Sequence, residues 1–446
     1  MSQPQDPTRT TRTVTFQEAL SLGIELQRGG RLDEAGELYA QLLAAAPRHP
    51  DVLHFAGVLS HHQGDGEKAI ALMRESLAVS PNQASCLSNL GIALQDRGRL
   101  EEAIAAYRDA LRVDPSLPMA HNNLGVLLRA MGHHAEAEAE YRAAIQLAPD
   151  RFDAHHNLAV LLASTGREAE AVPCFYRAIT LNPAMAGSRT LLALAYGRLG
   201  QPEKAIGIFE EWLQLEPENP VARHMLAAST GRDVPARAPD AYVESTFDAF
   251  AASFDSKLAT LEYRAPQLVA AAVVEAGIAP ARALAVLDAG CGTGLCGPLL
   301  APYARRLVGV DLSAGMLAQA AARGVYDELV KHELTAFLAA QDDAFDLVVS
   351  ADTLVYFGAL DAVLRGAAQA LRPGGLLVFT VEELGGADAG GGFRLEHHGR
   401  YSHGADYVRA TLEAVGLRPG PLTRAELRME GGKPVAGLVV RASSPT

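Results

Sequence analysis

Apolar residues in the first half of the chain recur at helical spacing, in paired stripes. In one stretch Leu87, Leu90 and Leu94 make one stripe, and Ile104, Tyr107 and Leu111 make a second, the pattern of two amphipathic helices. Gly98 stands between them and Pro115 follows them, so the chain turns at the glycine and the second helix stops before the proline. The unit then repeats. Pro47, Pro81, Pro115, Pro149, Pro183 and Pro217 are 34 residues apart, and Gly30, Gly64, Gly98, Gly132, Gly166 and Gly200 keep the same period. A fixed period of this length implies stacked copies of one two-helix unit. Small residues at Gly91 and Ala103 let paired helices approach closely, and Pro173, inside a second helix, predicts a bend there.

The pattern changes after residue 219. From Pro220 to Pro239 the period fades into a capping helix and a linker, and "DAYVESTFDAFAASFDSKL" opens a new helical pattern carrying Tyr242, Phe247, Phe250 and Phe254. Core packing is expected of Phe250 rather than of Tyr242 or Tyr263. Short apolar runs then alternate with helical stretches. Strands are predicted at Ala285–Asp288, Leu307–Val310, Glu328–Lys331, Asp346–Ser350 and Leu376–Val381, with two more at Pro421–Arg428 and Val435–Arg441. The expected fold is therefore two-domain: an all-α repeat superhelix, then a doubly wound α/β domain with a seven-stranded sheet. The expected boundaries are 1–15 for a disordered N-terminus, 16–219 for six repeats, 220–239 for cap and linker, and 240–446 for the α/β domain.

Candidate chemistry concentrates in "ALAVLDAGCGTGLCG" and the following "LVGVDLS". The first strand ends in Asp288, Gly290, Gly292 and Gly294 follow at alternate positions, and the second strand ends in Asp311. Glycines let a ligand lie against bare backbone, a helix starting near Leu295 would aim free N–H groups at it, and Asp311 can accept both hydroxyls of a ribose. Gly292, Gly294 and Gly297 also spell GxGxxG, so a dinucleotide site is the rival. Position argues against it, because Asp288 caps the strand before the turn begins and would repel a pyrophosphate.

These residues resemble the cofactor site of class I S-adenosylmethionine-dependent methyltransferases. The resemblance implies that Asp288, Gly290, Cys291, Gly292 and Gly294 surround the methionine and ribose, and that Asp311 and Leu312 meet the ribose. It puts Glu333 and Leu334 beside adenine, and Ser350 with Asp352–Tyr356 near the reacting methyl. The repeats resemble the tetratricopeptide repeat, with Ala159 and Ala193 replacing the family's glycine in the last two copies. Asn89, Asn123 and Asn157 hold one position in three successive repeats. They resemble the asparagine ladder of the repeat superhelix in O-GlcNAc transferase, which implies a peptide bound through its backbone; packing between helices is the alternative. The whole chain is similar to bacterial predicted methyltransferases that carry tetratricopeptide repeats.

Acid–base candidates after the sheet strands are Asp352, Tyr356, Glu382 and His403, with Tyr401 and His403 the expected acceptor contacts at the start of a helix. Gly385–Gly392 is expected to form a mobile loop leading into a substrate-covering insertion. A formal charge of -13 over 446 residues argues against general nucleic-acid binding. No apolar run is long enough to span a bilayer, and "MSQPQDPTRTTRT" has no apolar core, so a signal peptide or membrane anchor is not expected. Cys86, Cys174, Cys291 and Cys296 have no zinc-like spacing, which predicts a reduced, cytoplasmic protein. Histidine doublets such as His61–His62 point about 100° apart on a helix, so no metal site is expected. The functional expectation is an S-adenosylmethionine-dependent methyltransferase whose repeats recruit a protein or peptide. A small-molecule enzyme that uses its repeats for assembly, or a non-catalytic adaptor, are the alternatives.

Overall fold

The computed structural model describes residues 15–251, 254–385, 392–430 and 432–446. The expected disordered N-terminus, apart from Thr15, and most of the Gly385–Gly392 loop lie outside them. Two compact units meet at Ser188–Arg189.

The first unit is built from helix pairs. They are α1 (Phe16–Arg28) with α2 (Leu32–Ala45), α3 (Pro50–His62) with α4 (Gly66–Val79), α5 (Ala84–Asp96) with α6 (Leu100–Val113), α7 (Pro118–Ala130) with α8 (His134–Leu147), and α9 (Phe152–Ser164) with α10 (Glu168–Leu181). Each tight turn is made by a glycine at positive φ, from 72° at Gly98 to 86° at Gly64, a conformation costly for residues with a Cβ. A second glycine sets the packing distance inside a pair. A Cβ on Gly91 would lie 2.7 Å from the Tyr107 ring, and one on Gly125 would lie 2.7 Å from Tyr141. Where Ala159 and Ala193 stand instead, the ring position sixteen residues on is Phe175 and Phe209. Helix α10 runs through Pro173 without interruption.

The second unit begins within α11 (Ala186–Arg198) and continues with α12 (Pro202–Leu215) and α13 (Pro220–Thr230). Thus the sixth helix pair and the cap group with the α/β fold, although the 34-residue period crosses that point without a slip. Asn219 caps α13 by accepting from the Ala222 N–H at 3.0 Å, and Gly231 ends it at φ 66°. Helices α14 (Asp240–Phe250), α15 (Phe254–Thr260) and α16 (Ala265–Glu275) lead into the sheet.

That sheet holds β1 (Leu284–Ala289), β2 (Ala304–Asp311), β3 (Glu328–Lys331), β4 (Phe345–Ser350), β5 (Leu371–Glu383), β6 (Phe393–Leu395), β7 (Tyr401–His403), β8 (Arg418–Glu430) and β9 (Lys433–Ser443). Strands β3-β2-β1-β4-β5 are parallel neighbours in that order, and antiparallel β9 and β8 continue the sheet beyond β5. Helices α17 (Gly297–Leu300), α18 (Ala314–Ala322), α19 (Leu334–Ala339), α20 (Asp361–Ala370) and α21 (Ala405–Ala414) intervene. Successive residues of β1 serve opposite faces. Val286 packs with Val269 and Val273 of α16, whereas Leu287 packs with Leu338 of α19 and Leu364 of α20, as alternation in a sheet covered on both sides requires.

Among the described residues the sheet has nine strands, not the expected seven. Pairing of β4 along β5 ends at Phe379, and β7 takes over the same direction at Glu382 and Glu383 while β6 pairs with β7. The hairpin closes backbone edge that the longer β5 would otherwise expose. Tyr401 and His403 are therefore strand residues ahead of α21, not the start of a helix.

The packing at Gly91 gives a direct check. Gly91→Ala should lower stability by ~1–3 kcal/mol through overpacking against Tyr107, read by chemical denaturation. Ala159→Gly should cost only the ~1 kcal/mol of helix propensity.

Candidate functional site

A cavity of about 240 Å³ lies beyond the carboxyl ends of the parallel strands, where open α/β sheets bind ligands. Its floor is the bend after β1. The N–H groups of Gly290 and Cys291 both donate to Val310 O, at 2.8 and 2.9 Å, so the bend is bolted to β2. Gly290 sits at φ 77°, and a Cβ there would collide with the Thr353 side chain, whose Oγ1 donates to Gly290 O at 3.1 Å. Gly292, at φ 55°, has open space where a Cβ would stand, so bare backbone faces the cavity. Its N–H donates to Asp311 Oδ2 at 2.9 Å, and Ser313 N–H donates to Asp311 Oδ1 at 2.9 Å. Burial raises the Asp311 pKa, against the lowering effect of those backbone donors.

The expected site residues divide into two groups. Gly290, Cys291, Gly292, Asp311 and Leu312 line the cavity, as do Glu333, Leu334, Asp352 and Tyr356. Asp288, Gly294 and Ser350 do not. A Cβ on Gly294 would lie 2.9 Å from Tyr326 and 3.2 Å from the Ala320 backbone, so this glycine seats the turn on α18. Ser350 Oγ donates to Ala289 O at 2.8 Å and supports β1. Asp288 is fully buried, accepts from Tyr326 Oη at 2.6 Å, and keeps Oδ1 without a partner. Burial pushes its pKa up to about 7. The helix expected from Leu295 is a single turn at Gly297–Leu300, and the N–H groups of Gly290, Cys291, Gly292 and Gly294 in the bend are spent on Val310, Asp311 and Cys291.

Tyr401 and His403 are structural. Both are wholly buried, Tyr401 Oη donating to Pro235 O at 2.7 Å and His403 Nε2 to Phe357 O at 2.8 Å. Burial drives the His403 pKa down to about 4, and neither residue reaches the cavity.

Helices α14 and α15 form the cover. Phe247 and Phe254 line the cavity with Leu258 and Tyr263, and Phe247 meets Tyr356 edge-on at 5.4 Å. Phe250 is 43% exposed and Tyr242 only 7%, the reverse of the expected packing, because Lys257 rather than the core covers the Phe250 ring. Two acids that the sequence reading passed over pin the cover down. Asp248 accepts from Ser313 Oγ and from the Gly315 N–H at 3.2 Å, and Asp255 accepts from Thr293 Oγ1 at 2.5 Å. Each follows a phenylalanine in "FDAFAASFD", and that seven-residue spacing was their only signal.

The opposite wall is an ion-pair network, of which only Asp352 and Glu382 were picked out from sequence. Arg428 donates from Nη1 to Asp352 Oδ2 at 2.8 Å, from Nε to Glu430 at 2.8 Å, and from Nη2 to Glu382. Arg400 donates to Glu382 at 2.6 Å and to both oxygens of Glu430 at 2.8 Å. The guanidiniums outweigh burial at Glu430 and hold its pKa down at about 2, whereas burial dominates at Asp352 and raises its pKa. Behind Arg400, His224 of α13 donates from Nε2 to Gly399 O at 2.9 Å and packs against the tilted ring of Tyr242, with centroids 4.1 Å apart.

In the repeat unit, Asn89, Asn123 and Asn157 are half-buried. The Asn89 amide lies 2.9 Å from His54 Nε2, Asn157 donates to Asn122 Oδ1 at 3.0 Å, and Asn123 donates to Tyr107 Oη at 3.5 Å. The carbonyl oxygens of Asn89 and Asn157 take no part in those bonds.

A glycine bend between two acid-tipped parallel strands, under an aromatic cover, is the architecture of a methyltransferase domain. The model of that domain matches residues 287–379. Tetratricopeptide-repeat models match 50–116, 88–152, 123–186 and 186–229. The chain is thus a tetratricopeptide-repeat array joined to a methyltransferase domain. It is 44% identical over 84 residues to methyltransferase-like protein 27 of Homo sapiens, covering 19% of this chain and 34% of that one. It is 37% identical over 102 residues to malonyl-[acyl-carrier protein] O-methyltransferase of Enterobacter lignolyticus, covering 23% and 40%. It is 28% identical over 166 residues to ubiquinone biosynthesis O-methyltransferase of Chelativorans sp., covering 36% and 61%. The chain therefore spans between about a third and three fifths of the length of these relatives. Among solved structures, Pseudomonas aeruginosa pilF aligns at TM-score 0.42 and 19% identity, over 46% of this chain and 93% of its own. Among the described residues, no helix is long and apolar enough to cross a membrane and no cluster of three or more His, Cys, Asp or Glu could hold a metal ion.

Asp288 sets a pH dependence. Its folded pKa lies above its unfolded value, so its contribution to stability is complete in acid and fades as pH rises through about 7. Asp288→Asn should therefore gain melting temperature relative to the parent between about pH 5 and pH 8, with the difference smallest at the acid end.

Proposed function

We propose that this protein is an S-adenosylmethionine-dependent methyltransferase whose repeat array recruits a protein or peptide, with residues 16–219 as the recruiting array, 220–239 as cap and linker, and 240–446 as the catalytic domain. The observation that carries the reading is Asp311. Its carboxylate is held by two backbone N–H groups at the tip of β2, beside the open backbone of Gly292. An acid fixed in this way keeps lone pairs for the two hydroxyls of a ribose, and the bare backbone beside it leaves room for the sugar and methionine. Leu312, Glu333 and Leu334 follow along the cavity where an adenine would lie. When bound, the cofactor supplies an electrophilic methyl on a sulfonium. The chain's share is to align the acceptor and exclude water, which Phe247, Phe254 and Tyr263 do from the cover. Asp288 and Ser350 act at one remove, by shaping the bend.

The relatives named for O-methylation of a malonyl carrier protein and for ubiquinone biosynthesis support methyl transfer as the chemistry. Recruitment rests on the half-buried amides of Asn89 and Asn157, whose carbonyl oxygens can accept from the N–H groups of an extended chain. Four cysteines without a disulfide suit a cytoplasmic protein. An acceptor is to be sought by incubating native lysate with labelled S-adenosylmethionine and the full chain, then identifying the methylated species by mass spectrometry.

Asp311→Ala should weaken S-adenosylmethionine binding at least about tenfold in calorimetry, since charge-assisted hydrogen bonds contribute ~1.5–3 kcal/mol each. A change within about twofold counts against the ribose assignment, and no binding by the parent chain points to an adaptor. Replacing Asn89, Asn123 and Asn157 together with alanine should abolish partner capture while cofactor affinity stays unchanged. Loss of both would indicate misfolding.

A further inference from the structure

Among the described residues lining the cavity, one buried side-chain oxygen has no hydrogen-bond partner, Oδ1 of Asp352. Its fellow Oδ2 is taken by Arg428 at 2.8 Å. The residue is held in left-handed backbone at φ 56°, its N–H bonded to Thr380 Oγ1 at 2.8 Å. A buried acceptor left in this state is completed only by a donor: a proton of its own, or an X–H group of a bound molecule.

The charges around it narrow the molecule. Guanidiniums on the lining are those of Arg237, Arg400 and Arg428, and each is already matched by carboxylate. Arg237 pairs with Asp240 and lies 3.9 Å from Glu333, Arg400 pairs with Glu382 and Glu430, and Arg428 with Asp352, Glu382 and Glu430. Carboxylates on the lining outnumber guanidiniums, since Asp240, Asp311, Glu333, Asp352 and Glu430 all face it. Among the described residues, an anion entering here meets no uncommitted guanidinium and several like charges.

We propose that the acceptor presents an uncharged or cationic X–H donor, a hydroxyl or an amine, to Asp352 Oδ1, and that carboxylate acceptors are excluded. Its apolar body lies against Phe247, Leu258, Tyr263 and Tyr356. Burial, which raises the Asp352 pKa, makes this oxygen a better place to hold the acceptor's proton. The assignment rests on the methyl-donor reading above, so its test begins by separating the two.

Calorimetry of the full chain with S-adenosylhomocysteine comes first; absence of binding removes the donor reading and this one with it. With that ligand saturating, ligand-observed NMR would then measure benzyl alcohol, benzylamine and phenylacetate, which share one apolar body. The alcohol or the amine should bind at least about tenfold tighter than phenylacetate, and which of them leads separates hydroxyl from amine acceptors. Asp352→Ala should invert the order, because it removes the acceptor and leaves Nη1 of Arg428 open to a carboxylate. Asp352→Asn, well tolerated at positive φ, should turn its amide oxygen to Arg428 and its NH2 to the cavity, so it should keep the alcohol, whose hydroxyl then accepts, and lose the amine. Unchanged S-adenosylhomocysteine affinity in both variants excludes misfolding. Phenylacetate binding as tightly as the others to the parent, no binding by any probe, or an unchanged order in Asp352→Ala would overturn the proposal.

Discussion

The site depends on the double anchor of the β1 bend to Val310. Two successive N–H groups share one carbonyl of the neighbouring strand, which fixes where the backbone of Gly292 faces and how far Asp311 stands from it. Everything on the cavity floor inherits its position from that junction. The glycines are required there for unequal reasons. Gly290 makes room for Thr353, Gly294 for Tyr326 and α18, and only Gly292 opens toward the cavity. Three residues that look equivalent in a motif thus have three distinct surroundings.

The two walls are built from opposite materials. One is a set of rings and aliphatic side chains from α14 and α15, held down by Asp248 and Asp255. The other is a cluster of two guanidiniums and three carboxylates contributed by four separate segments of the chain. Buried ion clusters of this kind contribute little net stability, because desolvation offsets their attraction, but they resist loss of any single member. The cluster therefore fixes the geometry of Asp352, Arg400 and Arg428 more than it stabilises the domain.

Much of this was legible from the residues alone, and the limits have physical causes. The repeat period and the turn glycines are local signals, so the helix pairs and the turns between them could be read off. Strands β1 and β2 were equally readable, since each is a short apolar run that ends at an acid before the turn. The β6–β7 hairpin was not. Its strands are three residues each, and their pairing with β5 depends on how far β4 extends. Tyr401 and His403 looked like exposed polar contacts because no local pattern tells that Pro235 and Phe357 supply the carbonyls that bury them. Likewise Arg428, in an outer strand, meets Asp352 across 76 residues of sequence, a juxtaposition set only by sheet order.

The His224 contact bears on how the chain can be divided. A boundary drawn by sequence period falls between α12 and the α/β fold, yet the imidazole of α13 closes over Gly399, next to Arg400, and packs against the ring of Tyr242. Gly399 itself, at φ 86°, has Met225 and Tyr242 where a side chain would go. The terminal helix of the solenoid is in this sense a keystone of the α/β half. A fragment cut at the linker would shed part of its own pocket's backing.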